Sequence, residues 1–418
     1  MSDAVISNEL NKQSSGRLLS IDLLRAVAAF GVFLFHASLT AGFDKFSLSI
    51  PIPGLDRAIA IPNFLSLGAM GVSLFFVVSG YCLARSRYRG GSAATSLWGY
   101  YTSRVHRIYP AYFFSLLVTL LVWWLVAGTS AMWQPSDDGR PALLLDFFVH
   151  SAFLQGFSST HFLSFNGTLW SMATEVQFYI LFPLLFPLVR GGGGRIVLLV
   201  LAGCLLIRYL SGATPSLAAL VEGGVAKSVL ISYSVLGRLS EFVVGMWVAL
   251  LHMERRLPSI RIWKVAGLFV VAAVATWRAV GWLSEPMWGL AFGSLLVWAI
   301  HEVDPRAVQM TSRFRCVRTC RAFGIYSYSF FLIHWVILFL FDGIPWFHLA
   351  DGWVKFFVAG VACFGLSYVL AKWMYLNIES RDVPSKEGLN NCRHPREGGD
   401  PVLHVIESKE AGFPPSRE

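Results

Sequence analysis

Long apolar stretches alternate with short polar segments along most of the 418-residue chain. A helix that crosses a membrane needs about 20 mostly apolar residues. Ten segments fit that pattern, and they cover residues 21–41, 66–84, 109–127, 168–189, 196–210, 228–251, 265–281, 286–301, 323–342 and 353–376. The pattern therefore predicts an all-α, polytopic membrane protein with about ten transmembrane helices.

The polar ends and one long connection complete the predicted organisation. Residues 1–20 are predicted as a cytoplasmic N-terminal segment, residues 21–380 as the transmembrane domain, and residues 381–418 as a disordered cytoplasmic tail. The connection 128–167 contains a second apolar stretch, Leu143 to Gln155, which is too short and too polar to cross a membrane. We expect this stretch to be a re-entrant or interfacial element on the outer side.

Basic residues fall mainly on alternate loops, and this alternation predicts the orientation. The loops predicted to face outward hold Lys45, Arg57, Arg140 and Lys227, whereas the other loops and both ends carry most of the remaining Lys and Arg. Cytoplasmic loops are richer in Lys and Arg than outer loops. The sequence therefore predicts a multi-pass protein of the inner, cytoplasmic membrane with both termini in the cytoplasm.

Composition agrees with a membrane protein and excludes several other classes. Hydrophobic residues make up 55% of the chain and charged residues 14%, whereas a soluble globular chain is about 25% charged. Disordered proteins, secreted disulfide scaffolds and cytosolic enzymes are therefore excluded. The net charge of +9 follows from the cytoplasmic loops, so no nucleic-acid partner is expected. Cys316 and Cys320 lack nearby partners for a metal, and no metal site is predicted.

Charged residues inside predicted spans mark candidate functional positions, because a charge in a membrane is costly. In the first span, Asp22, Arg25 and His36 lie on one stripe, with His36 about 16 Å from Arg25 along the helix axis. Glu175 in the fourth span lies at a similar predicted depth to His36. An imidazole held in one tautomer by a carboxylate is a natural general base. We therefore predict that His36 and Glu175 meet as a catalytic pair, with a purely structural pair as the alternative.

Two further groups of polar residues stand out. Arg104 and Arg107, one turn apart where the third span begins, join Arg25 in a predicted phosphate-binding cluster, since Arg forms bidentate bonds to phosphate. The alternative for these arginines is the cytoplasmic excess of positive charge alone. Arg238 is expected to pair with Glu241, and mid-membrane His334 to pack or to contact a substrate. Together with Asp22, the residues Arg238 and His334 form the set of candidate substrate-binding residues.

These motifs together resemble the acyltransferase-3 family of integral membrane O-acyltransferases. The matching segments, in order, are Asp22–Arg25–x10–His36, GVSLFFVVSGY (71–81), Arg104-x-x-Arg107-Ile-x-Pro110, LWSMATEVQFY (169–179), Arg238 to Gly245 and SYSFFLIH (327–334). The resemblance implies that His36 is catalytic and that Arg25, Glu175, Arg104 and Arg107 are its essential partners. The chain departs from the family at Glu379-Ser380-Arg381, where such proteins often have Glu-Arg-Pro.

The resemblance also implies a reaction. An acyl group, with acetyl as the expected one, would pass from cytoplasmic acyl-CoA to a hydroxyl of an envelope polysaccharide or lipid-linked sugar, within the lipid membrane. Direct transfer and transfer through an acyl-histidine both remain open. Two alternatives without acyl transfer also remain. Intramembrane His, Glu and Arg build proton relays in transporters and flippases of glycolipids, and a polysaccharide-export scaffold would need no chemistry.

Overall fold

The structure, a computed structural model, describes the parts of the chain that carry the predicted spans. The described residues are 18–43, 47–51, 58–89, 96–126, 140–211, 227–277, 281–344, 347 and 352–380. All of these residues belong to one compact unit, Met1–Asp382. The predicted disordered tail, 381–418, and nearly all of the predicted N-terminal segment lie outside the described residues, so both remain predictions.

Helices account for almost all of the described regular structure, and each of the ten predicted spans overlaps one. In chain order the α-helices are α1 (Leu19–Thr40), α2 (Gly71–Arg89), α3 (Leu97–Val126), α4 (Arg140–Ser151), α5 (Trp170–Gly192), α6 (Gly194–Leu210), α7 (Lys227–Tyr233), α8 (Val235–Met253), α9 (Ile262–Trp277), α10 (Gly281–Glu302), α11 (Ala307–Arg313), α12 (Arg315–Asp342), α13 (Gly352–Val358) and α14 (Phe364–Met374). Strands β1 (Ser47–Pro51) and β2 (Ala58–Pro62) form one antiparallel pair.

Short irregular turns extend several of these helices. Three 3-10 turns cover Phe64–Met70, Leu154–Phe157 and Asp304–Arg306, and two π-helical turns cover Ala359–Cys363 and Tyr375–Glu379. The first of these turns runs directly into α2. The first π-helical turn joins α13 to α14, and the second follows α14. The last span is therefore one continuous helical stretch.

Eight helical stretches in the described part of the chain are long and apolar enough to cross a membrane. They are Leu19–Thr40, Phe64–Arg89, Leu97–Val126, Trp170–Gly192, Leu230–Met253, Trp282–Arg313, Arg315–Asp342 and Gly352–Glu379. The other two predicted spans correspond to α6, with 17 residues, and α9, with 16. The protein is thus an all-α polytopic membrane protein apart from the β1/β2 pair, which confirms the predicted fold class. The side on which the termini lie stays a prediction.

Glycines allow the central helices to approach each other closely. A Cβ atom on Gly80 of α2 would overlap backbone atoms of α8, and one on Gly245 of α8 would overlap backbone atoms of α2. In the same way, a Cβ atom on Gly324 of α12 would overlap the carbonyl group of Asp22 in α1. Small residues at helix contacts are typical of membrane proteins, where close packing holds the helices together. These contacts hold α2 against α8 and α1 against α12.

The first turn of α1 is held by a side chain from a distant part of the chain. The backbone N–H and the hydroxyl of Ser20 donate to the two carboxylate oxygens of Asp304, at 2.9 and 2.7 Å. The first N–H groups of a helix have no partner within the helix. Asp304 therefore caps α1 and fixes the height of the helix that carries Arg25 and His36.

The long connection before α5 contains a short helix rather than an additional span. Helix α4 has 12 residues and is followed by the 3-10 turn. Asp146 of α4 accepts a hydrogen bond from Nδ1 of His161 at 2.5 Å. The chain that leads into α5 is buried, with Asn166 only 1% and Leu169 0% exposed. Helix α5 therefore begins beneath a layer of protein, while the position of this connection relative to the membrane stays a prediction.

Candidate active site

A long cavity runs along α2 and has walls from α1, α3, α5 and α12. It encloses about 1060 Å³ of space, its open mouth included. On α2 the lining extends from Val72 to Ser86, about 21 Å at about 1.5 Å per residue. The Val72 end is largely aromatic, with Phe75 and Phe76 of α2 and Phe331 of α12. The cavity is thus elongated, and one of its ends is apolar.

Three arginines predicted to bind phosphate line the same cavity. Nη2 of Arg25 donates to the sulfur of Cys82 at 3.6 Å, which places Arg25 toward the Ser86 end. The guanidinium of Arg104 lies 5.8 Å from the centre of the Tyr100 ring. Arg107, one turn further along α3, is exposed at the wall. The structure therefore brings together Arg25, Arg104 and Arg107 as predicted, and such a cluster suits an anionic ligand.

Glu175 lies in the wall of this cavity within a small cluster of oxygen atoms. Its Oε1 accepts a hydrogen bond from the hydroxyl of Ser79 at 2.8 Å and another from the hydroxyl of Tyr179, one turn further along α5. The two hydroxyl oxygens are 3.1 Å apart. All three side chains line the cavity. The cluster offers a bound ligand both a carboxylate acceptor and hydroxyl groups.

Glu379, at the position where the sequence departs from the family pattern, also lines the cavity. Its Oε2 accepts a hydrogen bond from the hydroxyl of Ser329 in α12 at 3.1 Å. With Glu175 it sets two carboxylates against the three arginines, so the lining keeps an excess of positive charge. The π-helical turn after α14 carries Glu379, and the last span thereby contributes to the site.

His36 lies outside this cavity and forms a pair with His334. Nδ1 of His36 is 3.0 Å from Nε2 of His334, and the rings are stacked with their centroids 5.2 Å apart. Nδ1 of His334 lies 2.8 Å from the carbonyl oxygen of Phe331. A carbonyl oxygen only accepts hydrogen bonds, so Nδ1 of His334 carries the proton and its Nε2 is the acceptor.

This arrangement also determines the tautomer of His36. Because Nε2 of His334 accepts, His36 donates from Nδ1 and keeps the lone pair on its own Nε2. None of the described residues forms a hydrogen bond to that nitrogen, and the side chain is only half-buried. Trp335 packs edge-on against the His36 ring with centroids 4.9 Å apart. His36 is therefore an imidazole in a fixed tautomer, with one unprotonated ring nitrogen.

The direct pairing of His36 with Glu175 predicted from the sequence is not formed. Counting residues from the helix ends gives the two side chains similar depths. However, the Glu175 carboxylate is bonded to Ser79 and Tyr179 in the wall of the cavity, whereas His36 lies outside the cavity lining. The partner that orients His36 is His334 instead. Catalytic roles for His36 and Glu175 stay predictions.

Asp22 and Arg238 are held in ion pairs and do not line this cavity. Oδ2 of Asp22 lies 3.3 Å from Nε of Arg321. Arg238 contacts Glu241 at 2.9 Å, the predicted pairing, and also Glu285 at 3.4 Å. Both Asp22 and Arg238 are almost fully buried, at 1% and 2% exposure. A role in substrate binding stays a prediction for Asp22, Arg238 and His334.

Sequence reasoning missed the other half of this charge network. Arg208 of α6 is 1% exposed and donates to the carboxylate of Glu285 and to the carbonyl of Ser232. In the sequence, Arg208 and Glu285 are single charged residues in apolar surroundings, each at the edge of a predicted span. The network also braces the cavity, because the guanidinium of Arg238 lies 5.4 Å from the centre of the Phe76 ring.

The fold and the site define a class: a polytopic membrane protein with an elongated cavity that three arginines line. The comparison with protein families identifies it further. The model of the acyltransferase domain that defines the acyltransferase-3 family matches residues 18–372. The chain belongs to this family, and it is a membrane O-acyltransferase. This finding confirms the resemblance of the sequence motifs.

Several named proteins are similar to the chain. Acyltransferase MdmB of Streptomyces mycarofaciens is 25% identical over 333 residues, which are 77% of this chain and 79% of that protein. A candidate O-acetyltransferase of Staphylococcus aureus strain COL is 30% identical over 167 residues, 35% of this chain and 26% of that protein. Nodulation protein 10 of Rhizobium leguminosarum bv. viciae is 26% identical over 196 residues, 43% of this chain and 47% of that protein. No solved structure matches the chain.

Proposed function

We propose that the protein transfers an acyl group, in particular acetyl, from cytoplasmic acyl-CoA to a hydroxyl of an envelope polysaccharide or lipid-linked sugar. The observation that carries the proposal is the elongated cavity, with arginines toward one end and an apolar end next to the histidine pair. The similarity to a candidate O-acetyltransferase and to an acyltransferase supports acetyl as the group and a hydroxyl as the acceptor. We place the reaction in the inner membrane.

The proposed donor fits the cavity from its arginine end. Arg25, Arg104 and Arg107 would bind the phosphates of CoA through charge-assisted hydrogen bonds. The pantetheine arm would run along α2, where the carboxylate of Glu175 accepts hydrogen bonds from its amide N–H groups. The thioester would then lie at the apolar end, beside Phe331. Binding energy from the distant phosphates would in this way position the reacting carbon.

The proposed chemistry uses the free nitrogen of His36. Nε2 removes the proton from the acceptor hydroxyl as its oxygen attacks the thioester carbonyl. The new C–O bond forms, the C–S bond breaks, and the proton passes from His36 to the sulfur of CoA. His334 acts through His36, because its hydrogen bond keeps the lone pair on Nε2. A base positioned in this way typically contributes about 10²–10⁴ in rate.

Binding of acetyl-CoA to the purified protein tests the donor site. Arg104→Ala and Arg107→Ala are each expected to weaken binding about tenfold or more, because a hydrogen bond to a charged group contributes about 1.5–3 kcal/mol. Arg107→Lys should restore the charge but only part of the affinity, since Lys cannot form the bidentate contact. Calorimetric titration gives the dissociation constants directly.

The matched control is Arg190→Ala. Arg190 is also an exposed arginine at a helix end, but it lies over the Tyr88 ring and does not line the cavity. Its removal should leave acetyl-CoA affinity unchanged. Equal affinities in the wild type and in all four variants would contradict the donor site.

For the acceptor, mass spectrometry of envelope glycans with and without the gene should reveal an ester that depends on the protein, and identical glycans would contradict the proposed acceptor.

A further inference from the structure

Two phenylalanine rings line the apolar end of the cavity. Phe75 of α2 and Phe331 of α12 both line it, and their rings meet edge to face with centroids 5.8 Å apart. Neighbouring Phe76 is fixed from behind, since it packs against Phe178 with ring centroids 5.0 Å apart. Phe75 is half-buried and Phe331 is 6% exposed. Two side chains from different helices thus form one wall at this end of the cavity.

One residue of this wall also contacts the histidine pair. The ring of Phe331 lies 5.7 Å from that of His334, centroid to centroid. The two residues are three positions apart on α12, about 4.5 Å along the helix axis. Phe331 lines the cavity on one side and contacts His334 on the other, whereas His334 itself is not part of the cavity lining. Phe331 therefore connects the apolar end of the cavity with the histidine pair.

We propose that Phe75 and Phe331 set the length of the acyl group that the enzyme transfers. This inference rests on the proposed function, because it requires the thioester of acyl-CoA at the apolar end. An acetyl group would fit in front of the two rings with its carbonyl carbon near His36. Each further methylene would meet the rings and push the carbonyl back toward the arginines. A longer acyl group would thus bind but react slowly, which lowers kcat more than it raises KM.

Turnover of acetyl-CoA and butyryl-CoA by the protein in nanodiscs, supplied with total envelope lipid extract and envelope polysaccharide, tests this wall. Release of the CoA thiol gives kcat and KM for each donor. Phe331→Leu and Phe75→Leu remove ring atoms but keep an apolar side chain, so the fold should be retained. The expected result is a rise of roughly tenfold in the ratio of kcat/KM for butyryl-CoA to that for acetyl-CoA. Butyryl is two methylenes longer than acetyl. Burial of each methylene is worth about 0.8 kcal/mol, which corresponds to about a fourfold change in kcat/KM.

Phe330→Leu is the matched control. Phe330 lies next to Phe331 on α12 and also contacts His334, with parallel rings 5.8 Å apart, but it does not line the cavity. Its replacement should lower turnover of both donors by the same factor and leave the ratio unchanged. Phe331→Trp should act in the opposite direction and reduce the ratio below that of the wild type.

The outcomes separate this inference from the function on which it rests. A wild-type protein that turns over neither acyl-CoA would contradict the proposed function and the wall together. A wild-type protein that uses acetyl-CoA, with the same butyryl-to-acetyl ratio in Phe331→Leu, Phe75→Leu and Phe330→Leu, would overturn the inference alone. An effect on KM without any effect on kcat would also overturn it, because the wall would then act on binding only.

Discussion

His334 fixes the proton of His36 through two successive hydrogen bonds. The carbonyl of Phe331 accepts from Nδ1 of His334, whose Nε2 in turn accepts from Nδ1 of His36. A carboxylate partner would fix the same tautomer and would add a negative charge. A neutral imidazole fixes the tautomer without that charge. Removal of the His334 ring should therefore release the orientation of His36, whereas Glu175 is bonded to Ser79 and Tyr179.

The position of Glu175 leads to a prediction about Glu175→Gln. If its carboxylate contacts the donor within the cavity, the substitution should raise KM for acetyl-CoA several-fold and change kcat little. Tyr179→Phe, which removes a hydroxyl that donates to Glu175, should have the same effect to a smaller degree. Steady-state kinetics of thiol release measures both. A fall in kcat of a hundredfold at unchanged KM would instead place Glu175 with His36 in the chemistry.

At the scale of single residues, the sequence predicted which charged residues line the cavity better than it predicted which residues contact each other. Arg25, Arg104, Arg107 and Glu175 were predictable because each is a charged residue in or beside an apolar stretch, and all four line one cavity. The pairing of His36 was not predictable, because depth along one helix says nothing about where a neighbouring helix begins. That depends on the buried chain before α5, which has no apolar periodicity of its own.

The helices were predictable wherever a long apolar stretch is enough to indicate one. Each of the ten apolar segments overlaps a helix, but α6 and α9 are shorter than the other spans. The buried pair of Arg208 and Glu285 was not predicted. Each residue stands near the end of its apolar stretch, where a charged side chain normally extends to the membrane surface. Only the packing of α6 against α10 brings these two charges together.

Packing of α2 against α8 leads to a prediction about Gly245. The Cβ atom in Gly245→Ala would overlap backbone atoms of α2, so we expect a loss of about 1–3 kcal/mol in the free energy of unfolding. The control is Gly203→Ala in α6, where a Cβ atom would meet nothing within 4 Å. That change should be neutral or stabilising by up to about 1 kcal/mol, because Ala favours a helix over Gly. Unfolding in detergent measures both, and equal stabilities would contradict the close contact.

At the scale of the whole molecule, the arginine end of the cavity lies on the side that is predicted to face the cytoplasm. Arg104 and Arg107 stand near the start of α3, and Arg25 near the start of α1. Both helix starts are on the predicted cytoplasmic side, where acyl-CoA is present. The histidine pair lies toward the opposite side, from which an envelope sugar would arrive. The orientation is thus part of the proposed mechanism.

This orientation predicts the location of reporters fused to the chain. A reporter joined after Gly192, at the end of α5, should face the cytoplasm because the junction of α5 and α6 carries Arg190 and Arg195. A reporter joined at Asp137, in the long connection before α5, should face outward. Paired reporters that are active only in one compartment measure both positions. Location of both on one side would contradict the orientation and the placement of the donor site.

The central claim is that His36, oriented by His334, is the base for acyl transfer from the cavity. Its most direct test is acetyl transfer per correctly folded molecule in His36→Ala, His334→Ala and the double variant, with acetyl-CoA binding measured in parallel. His36→Ala should lose about 10²–10⁴ in rate, the double variant should be scarcely worse because the residues act as one unit, and acetyl-CoA should bind all three. Transfer by His36→Ala within a few-fold of the wild-type rate would contradict the mechanism.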